Sequence, residues 1–308
     1  MKKKPVAKPS GRRLNGGAAV AAMVPLALAT MLPAALNRTT GGGADTKTST
    51  STSTSKTTVA FQPGCKLPFD SIKTVGLEVD AKCSVDGNAG DNLAKRLEIN
   101  AKNNFCAGGK PTPIVFEDFT NLEAASDKIP DLRKLLKTSR DRVSNMITSA
   151  GGAPIGEGTL VQFVSFLFHA DFSNVGKGKG EAVNCKLTQR EDNDIHIQMM
   201  IDPDEDDSCK GVTAEMSPHF RPEAWSRLAK LELKRPIRIT GPLFFDGSHH
   251  ACHDDVRPTP NRISVWEIHP VYQFEVCKAK TLAACDVKNN SQWIPFDKWL
   301  SIDEENEP

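Results

Sequence analysis

Between Gly158 and Cys277, apolar and polar side chains alternate with a period near two, the spacing of a strand with one face in a core. GTLVQFVSFLFHADF (Gly158 to Phe172) predicts a long first strand, NDIHIQMMI (Asn193 to Ile201) a second, and GVTAEM (Gly211 to Met216) a third. RPEAWSRLAKLEL (Arg221 to Leu233) breaks the alternation with helical character, and Pro222 suits a first helical turn. RPIRITGPLFFD (Arg235 to Asp246) and RISVWEIHPVYQFEVC (Arg262 to Cys277) return to the strand pattern.

Three strands, a helix and two strands in a segment of this size predict a mainly β domain. The expected fold is the five-stranded Greek-key barrel called the OB-fold, over residues 151–278. Ahead of it, 61–150 reads as a short helical lead-in. AGDNLAKRLEINAKNNF places Leu93, Leu97 and Ile99 at helical spacing with Asp91 as the expected cap, and DLRKLLKTSRDRV from Asp131 repeats that character. Gly151-Gly152 with Pro154 marks the boundary between the two. In the tail, 279–308, Trp293, Phe296 and Trp299 fall at near-helical spacing and predict a strap packed on the barrel.

Residues 1–36 combine a basic start with the small-residue apolar stretch Ala18 to Leu36, which reads as an export signal or an N-terminal anchor. The Gly, Ser and Thr of 37–60 have nothing to bury and predict a disordered linker. All 8 cysteines lie beyond that signal; an even number without a C-x-x-C pair predicts disulfides formed in an oxidising compartment, periplasmic or extracellular. Spacing does not dictate connectivity, and Cys83 with Cys106 is the pairing put forward here. A net charge of +1, from 39 basic and 38 acidic residues, argues against binding by phosphate neutralisation. One tyrosine leaves few stacking aromatics, so nucleic acid is disfavoured as a partner.

The run GEGTLVQF…NCKL…NDIHI…TAEMSPHFRP…PIRITGPLFFD…ISVWEIHPVYQFEVC resembles a family of exported bacterial proteins with an OB-fold-like domain, and KNNFCA near Cys106 resembles their N-terminal part. The resemblance implies the fold and export and carries no activity across. It also implies that the strands neighbour one another as first, second, third, fifth, fourth and first again. Alternation then turns Asp194 and His196 on the second strand, Glu215 on the third, and Glu267 and His269 on the fifth toward one outer face. A turn near Glu205 and Asp206 sets His196 opposite Glu215.

That face is where OB-folds generally bind ligands. Carboxylates beside imidazoles suit a ligand-binding site, a divalent metal such as zinc or manganese, or an acid/base pair. They equally suit the ordinary wet side of a sheet. No Gly-x-Ser-x-Gly elbow and no isolated cysteine nucleophile is present, so covalent hydrolysis is unsupported. The expected function is an exported binding or interaction module with an envelope or extracellular ligand or protein as partner. Membrane contact would come through the N-terminal segment alone. The alternative is a metal-dependent hydrolase, including a nuclease, built on the acid/His face. HHACHDD (His249 to Asp255) and DPDEDD (Asp202 to Asp207) read as a solvated loop and an acidic turn.

Overall fold

The first alternating run folds as one thirteen-residue strand, Leu160–Phe172, which works as the spine of a closed barrel. The computed structural model describes residues 61–69, 78–174, 178, 180–253 and 256–306, all within one compact unit, Ser55–Pro308. The segments expected to be an export signal or anchor and a linker, residues 1–60, lie outside them. The lead-in contains helices α1 (Glu78–Lys82), α2 (Leu93–Lys102), α3 (Phe116–Asp127) and α4 (Leu132–Leu135) with short strands β1 (Thr112–Ile114) and β2 (Ile147–Thr148). There follow β3 (Pro154–Ile155), β4 (Leu160–Phe172), β5 (Ile195–Met200), β6 (Val212–Met216), β7 (Pro236–Phe245), β8 (Trp266–Ile268), β9 (Gln273–Cys277), β10 (Trp293–Pro295) and helix α5 (Phe296–Asn306). Among the described residues no helix is long and apolar enough to cross a membrane.

The length of β4 closes the sheet. Its first half, Leu160 to Phe166, pairs antiparallel with β7, and its second half, Phe166 to Phe172, pairs antiparallel with β5. β5 pairs antiparallel with β6, β6 parallel with β8, and β8 antiparallel with β7. This order, first, second, third, fifth, fourth and back to first, is that of an OB-fold-like barrel. Ile195, Ile197, Met199, Val212, Ala214, Ile237, Ile239 and Ile268 fill its interior. Every residue of β7 is buried, because the lead-in and tail cover what would otherwise be an outer face.

Several elements differ from expectation, each for a local reason. The fifth strand is split into β8 and β9 at His269-Pro270, since proline has no N–H for the ladder. Arg221 to Leu233 forms a 3-10 segment over Glu223–Lys230, with Pro222 just before it as the cap. The cap of α2 is Asn92, whose side chain accepts from Lys95 N at 3.1 Å, and not Asp91. After Asp131, only Leu132–Leu135 is α-helical, followed by a 3-10 turn at Asp141–Val143. Gly151-Gly152 sits between paired β2 and β3, so it turns a hairpin instead of joining separate bodies.

The lead-in shares the barrel's core. Phe119 and Leu122 of α3 pack among the barrel residues, Trp266 Nε1 donates to Ser126 Oγ at 2.8 Å, and Glu123 Oε2 accepts from Val265 N at 2.8 Å. In the tail, Phe296 is fully buried in the same core, with Trp299 stacked on it. Where the chain crosses at Pro270, β7 has room for hydrogen only: a Cβ on Gly241 would meet Pro270 O at 2.5 Å and Ile268 Cγ2 at 2.7 Å. Gly241→Ala is therefore expected to cost about 1–3 kcal/mol by overpacking. Urea denaturation checks this; an unchanged midpoint would show that the crossing yields.

Candidate functional site

Alternation decides which side chains leave the barrel. Ile195, Ile197 and Met199 point inward, so His196 and Gln198 stand on the other side of β5, with Asp194 just before it. The register pairs His196 with Glu215 and Thr213 with Glu267, which sets the acids and imidazoles of three neighbouring strands together.

This face is covered by protein. Asp194, Glu267 and His269 have no exposure and Glu215 has 3%, whereas the His196 side chain keeps 36%. The expectation of a wet or ligand-facing sheet surface is corrected here: the end of α2 and the segment bearing Glu181 and Asn184 lie over it. A strand's alternation separates its two faces but does not say which element lies outside. Val265, which alternation would have placed outward beside Glu267, precedes β8 and is buried in the core.

The geometry centres on Glu215. Its Oε1 lies 3.3 Å from His196 Nε2, and its Oε2 lies 3.1 Å from both His269 Nε2 and Lys102 Nζ. His269 Nε2 is also 3.6 Å from Asp194 Oδ2. On the far side of the ring, His269 Nδ1 stands 2.7 Å from the Lys102 carbonyl, so Nδ1 carries a proton and Nε2 faces the acids. Asn184 Nδ2 donates to Asp194 Oδ1 at 3.1 Å, and Glu181 Oε1 approaches His196 Nε2 at 3.5 Å. Behind Glu267, Arg262 donates to Glu267 Oε2 at 2.9 Å and to Asp246 Oδ2 at 2.6 Å.

Glu181, Asp194, Glu215, Asp246 and Glu267 thus share one buried region with two permanent cations, Lys102 and Arg262. The acid excess shapes every titration. Burial disfavours a charged His269, but Asp194 and Glu215 outweigh it and raise its pKa to about 10. Burial opposes charge on His196 as well, and Glu215 lifts that group to about 9. Burial would raise Glu215, yet His196 and Lys102 hold it well below the usual carboxylate range. Burial, reinforced by the Glu215 charge, pushes Glu267 up to about 7.

All five residues singled out in the sequence meet in this region. The set whose donor atoms lie within 4.8 Å of one another is Asp194, Glu215 and His269. His196 and Glu267 flank it. Sequence reasoning missed Lys102, Glu181, Asp246 and Arg262. Lys102, as the basic last residue of a capped amphipathic helix, was the one with a readable signal.

The expected Cys83–Cys106 pairing is corrected. Cys65 bonds to Cys106 and Cys83 to Cys185, and the remaining pairs are Cys209–Cys252 and Cys277–Cys285. Cys83 follows the end of α1, which lies against Val183, so its partner comes from the loop covering the acid/His face. With all 8 cysteines paired, the chain fits an oxidising environment.

No family model and no curated protein matches the chain. Among solved structures it is similar to the crystal structure of yeast Stn1 and Ten1, at 13% identity and a TM-score of 0.28, covering 56% of this chain and 66% of that one. The barrel assignment rests on the strand order described above.

Proposed function

We propose that this chain is a binding module of the bacterial envelope, with the OB-like fold and the export that its sequence resemblance implies, and that its own lead-in occupies the usual ligand face of the barrel. The observation that carries this reading is the burial of Asp194, Glu215, Glu267 and His269 beneath α2 and the Glu181–Asn184 segment. A hydrolase built on these residues would need α2 to lift before substrate reached them, which leaves the alternative reading in second place. The basic, apolar N-terminal sequence and the four disulfides support export.

The binding surface then lies elsewhere on the barrel. A cleft of about 540 Å³ runs between the second half of β4 and the stretch Leu228 to Lys234. This is within the usual size of ligand sites. A β-bulge between Leu167 and His169 turns Phe168 outward at this cleft, where it is 40% exposed. Asp202 and Glu232 line the same cleft together with the apolar Leu228 and Met200.

The test is in-cell photo-crosslinking of the full chain expressed in a bacterium with an oxidising periplasm. A photoreactive residue at Phe168 is expected to give a discrete adduct, and one at Leu93, exposed on α2, none. Equal labelling at both positions, or none at Phe168, would sink the reading. Phosphodiester hydrolysis by the purified chain that disappears in Glu215→Gln would restore the hydrolase.

A further inference from the structure

We infer that Asp194, Glu215 and His269 form an internal site for a divalent transition-metal ion of the zinc and manganese class, serving to fasten the lead-in to the barrel. This goes beyond the binding-module reading and does not depend on it.

The donors already have the needed arrangement. Zinc binds nitrogen and oxygen ligands at about 2.0–2.1 Å, which separates neighbouring donors of a tetrahedron by about 3.3 Å. His269 Nε2 is 3.1 Å from Glu215 Oε2 and 3.6 Å from Asp194 Oδ2. The Nδ1 contact to the Lys102 carbonyl orients the ring and leaves Nε2 as the ligating atom, an outer-shell arrangement typical of metal-binding histidines. That carbonyl belongs to α2, so coordination through His269 would tighten the attachment of the helix.

A second observation, independent of the spacing, points the same way. Asp194 Oδ2, His269 Nε2 and Glu267 Oε1 are fully buried and make no contact of hydrogen-bond geometry; His269 Nε2 meets Glu215 Oε2 and Asp194 Oδ2 only as ion-pair approaches, at 3.1 and 3.6 Å. Buried polar atoms are seldom left so. Two of them are donors of the proposed set, and the third lies 3.9 Å from Lys102 Nζ. The imidazole nitrogen suits zinc and the two carboxylates suit zinc or manganese, whereas calcium and magnesium take oxygen ligands throughout. The partly exposed His196, beside Glu181, marks the way in from solvent.

The other carboxylate-histidine group, Glu123, Asp127 and His253, is a poorer candidate. Glu123 Oε2 already accepts from Ser264 Oγ and Val265 N, and its two companions are exposed.

Lys102 supplies a distinctive test, because its ammonium competes with a metal for Glu215 Oε2. The full chain with its disulfides intact is stripped with a chelator and titrated with Zn2+, Mn2+ and Co2+ by calorimetry, with the visible Co2+ spectrum as a coordination readout. One equivalent is expected to bind, without competition from Ca2+ or Mg2+, and to raise the melting temperature. Asp194→Asn, nearly isosteric, should weaken binding by about 100-fold or more, since loss of even outer-shell partners costs about 10–100-fold. Lys102→Met should tighten binding by about tenfold on the same scale. Failure of the folded wild-type chain to bind Zn2+, Mn2+ or Co2+ would overturn the inference. So would binding that is the same in wild type, Asp194→Asn and Lys102→Met. If Asp194→Asn does not fold, the wild-type Co2+ spectrum and the Lys102→Met affinity still decide.

Discussion

Replacing Glu215 with leucine should lower the unfolding free energy by about 3–5 kcal/mol, the range for removing one partner of a buried ion pair. The leucine roughly matches the lost volume, so the loss is electrostatic. Lys102 and His269, each 3.1 Å from Glu215 Oε2, and His196, 3.3 Å from Oε1, would all lose their central counter-charge. Glu267 could not simply substitute, since its nearer oxygen is 3.9 Å from Lys102 Nζ and its other oxygen serves Arg262. Urea denaturation followed by circular dichroism gives the value. A loss below about 1 kcal/mol, the level of exposed pairs, would mean that the region admits water and is not the sealed cluster described here. Hydrogen exchange on the same variant should show α2 opening before the barrel strands, because Lys102 ends that helix.

The second large effect concerns Cys83–Cys185, which spans 102 residues of sequence. In the chain-entropy account a loop of that length is worth about 4.7 kcal/mol, and removing native disulfides typically costs about 2–5 kcal/mol. Cys83→Ala combined with Cys185→Ala is expected to lie at the upper end. The short loop of Cys277–Cys285, with a separation of 8, gives about 2.5 kcal/mol on the same account. The two deletions should therefore rank in that order in chemical denaturation under non-reducing conditions. The reverse order would show that unfolded-state entropy is not what these bonds restrain. A qualitative difference should accompany the ranking. Loss of Cys83–Cys185 frees the segment carrying Glu181 and Asn184, so exchange should rise around Asp194 and His196, whereas loss of Cys277–Cys285 should act near β9.

The strands were legible because their burial is periodic, and their order in the barrel followed from the OB-like pattern. The pairing of His196 with Glu215 could be read because the register is symmetric about Glu205 and Asp206, so counting outward from that turn sets the two residues opposite each other. What alternation cannot carry is the identity of the third layer. Asp194 and Glu267 have the sequence pattern of a solvated face, yet they lie under α2 without exposure. Lys102 reaches Glu215 across 113 residues of sequence, and no local pattern encodes such a contact. The disulfide partners were hidden for the same reason. α3 is a different case: Phe119 and Leu122 are three apart, and Asp118 Oδ2 accepts from Val115 N at 2.8 Å, so the start of this helix is encoded locally.

The ends of the main sheet bear on how anything can bind. Its order runs from β1 to β10, and each terminal strand is three residues long with a proline in it, Thr112-Pro113-Ile114 at one edge and Trp293-Ile294-Pro295 at the other. Brevity and a missing N–H make both poor templates for another chain. An extended peptide lengthening the sheet is thus an unsuitable partner, and so is a second copy joining edge to edge. On the binding reading proposed above, recognition falls to side chains on the barrel wall and its loops, and among the described residues the main sheet offers unfolded segments in a crowded, oxidising surrounding little exposed ladder to extend.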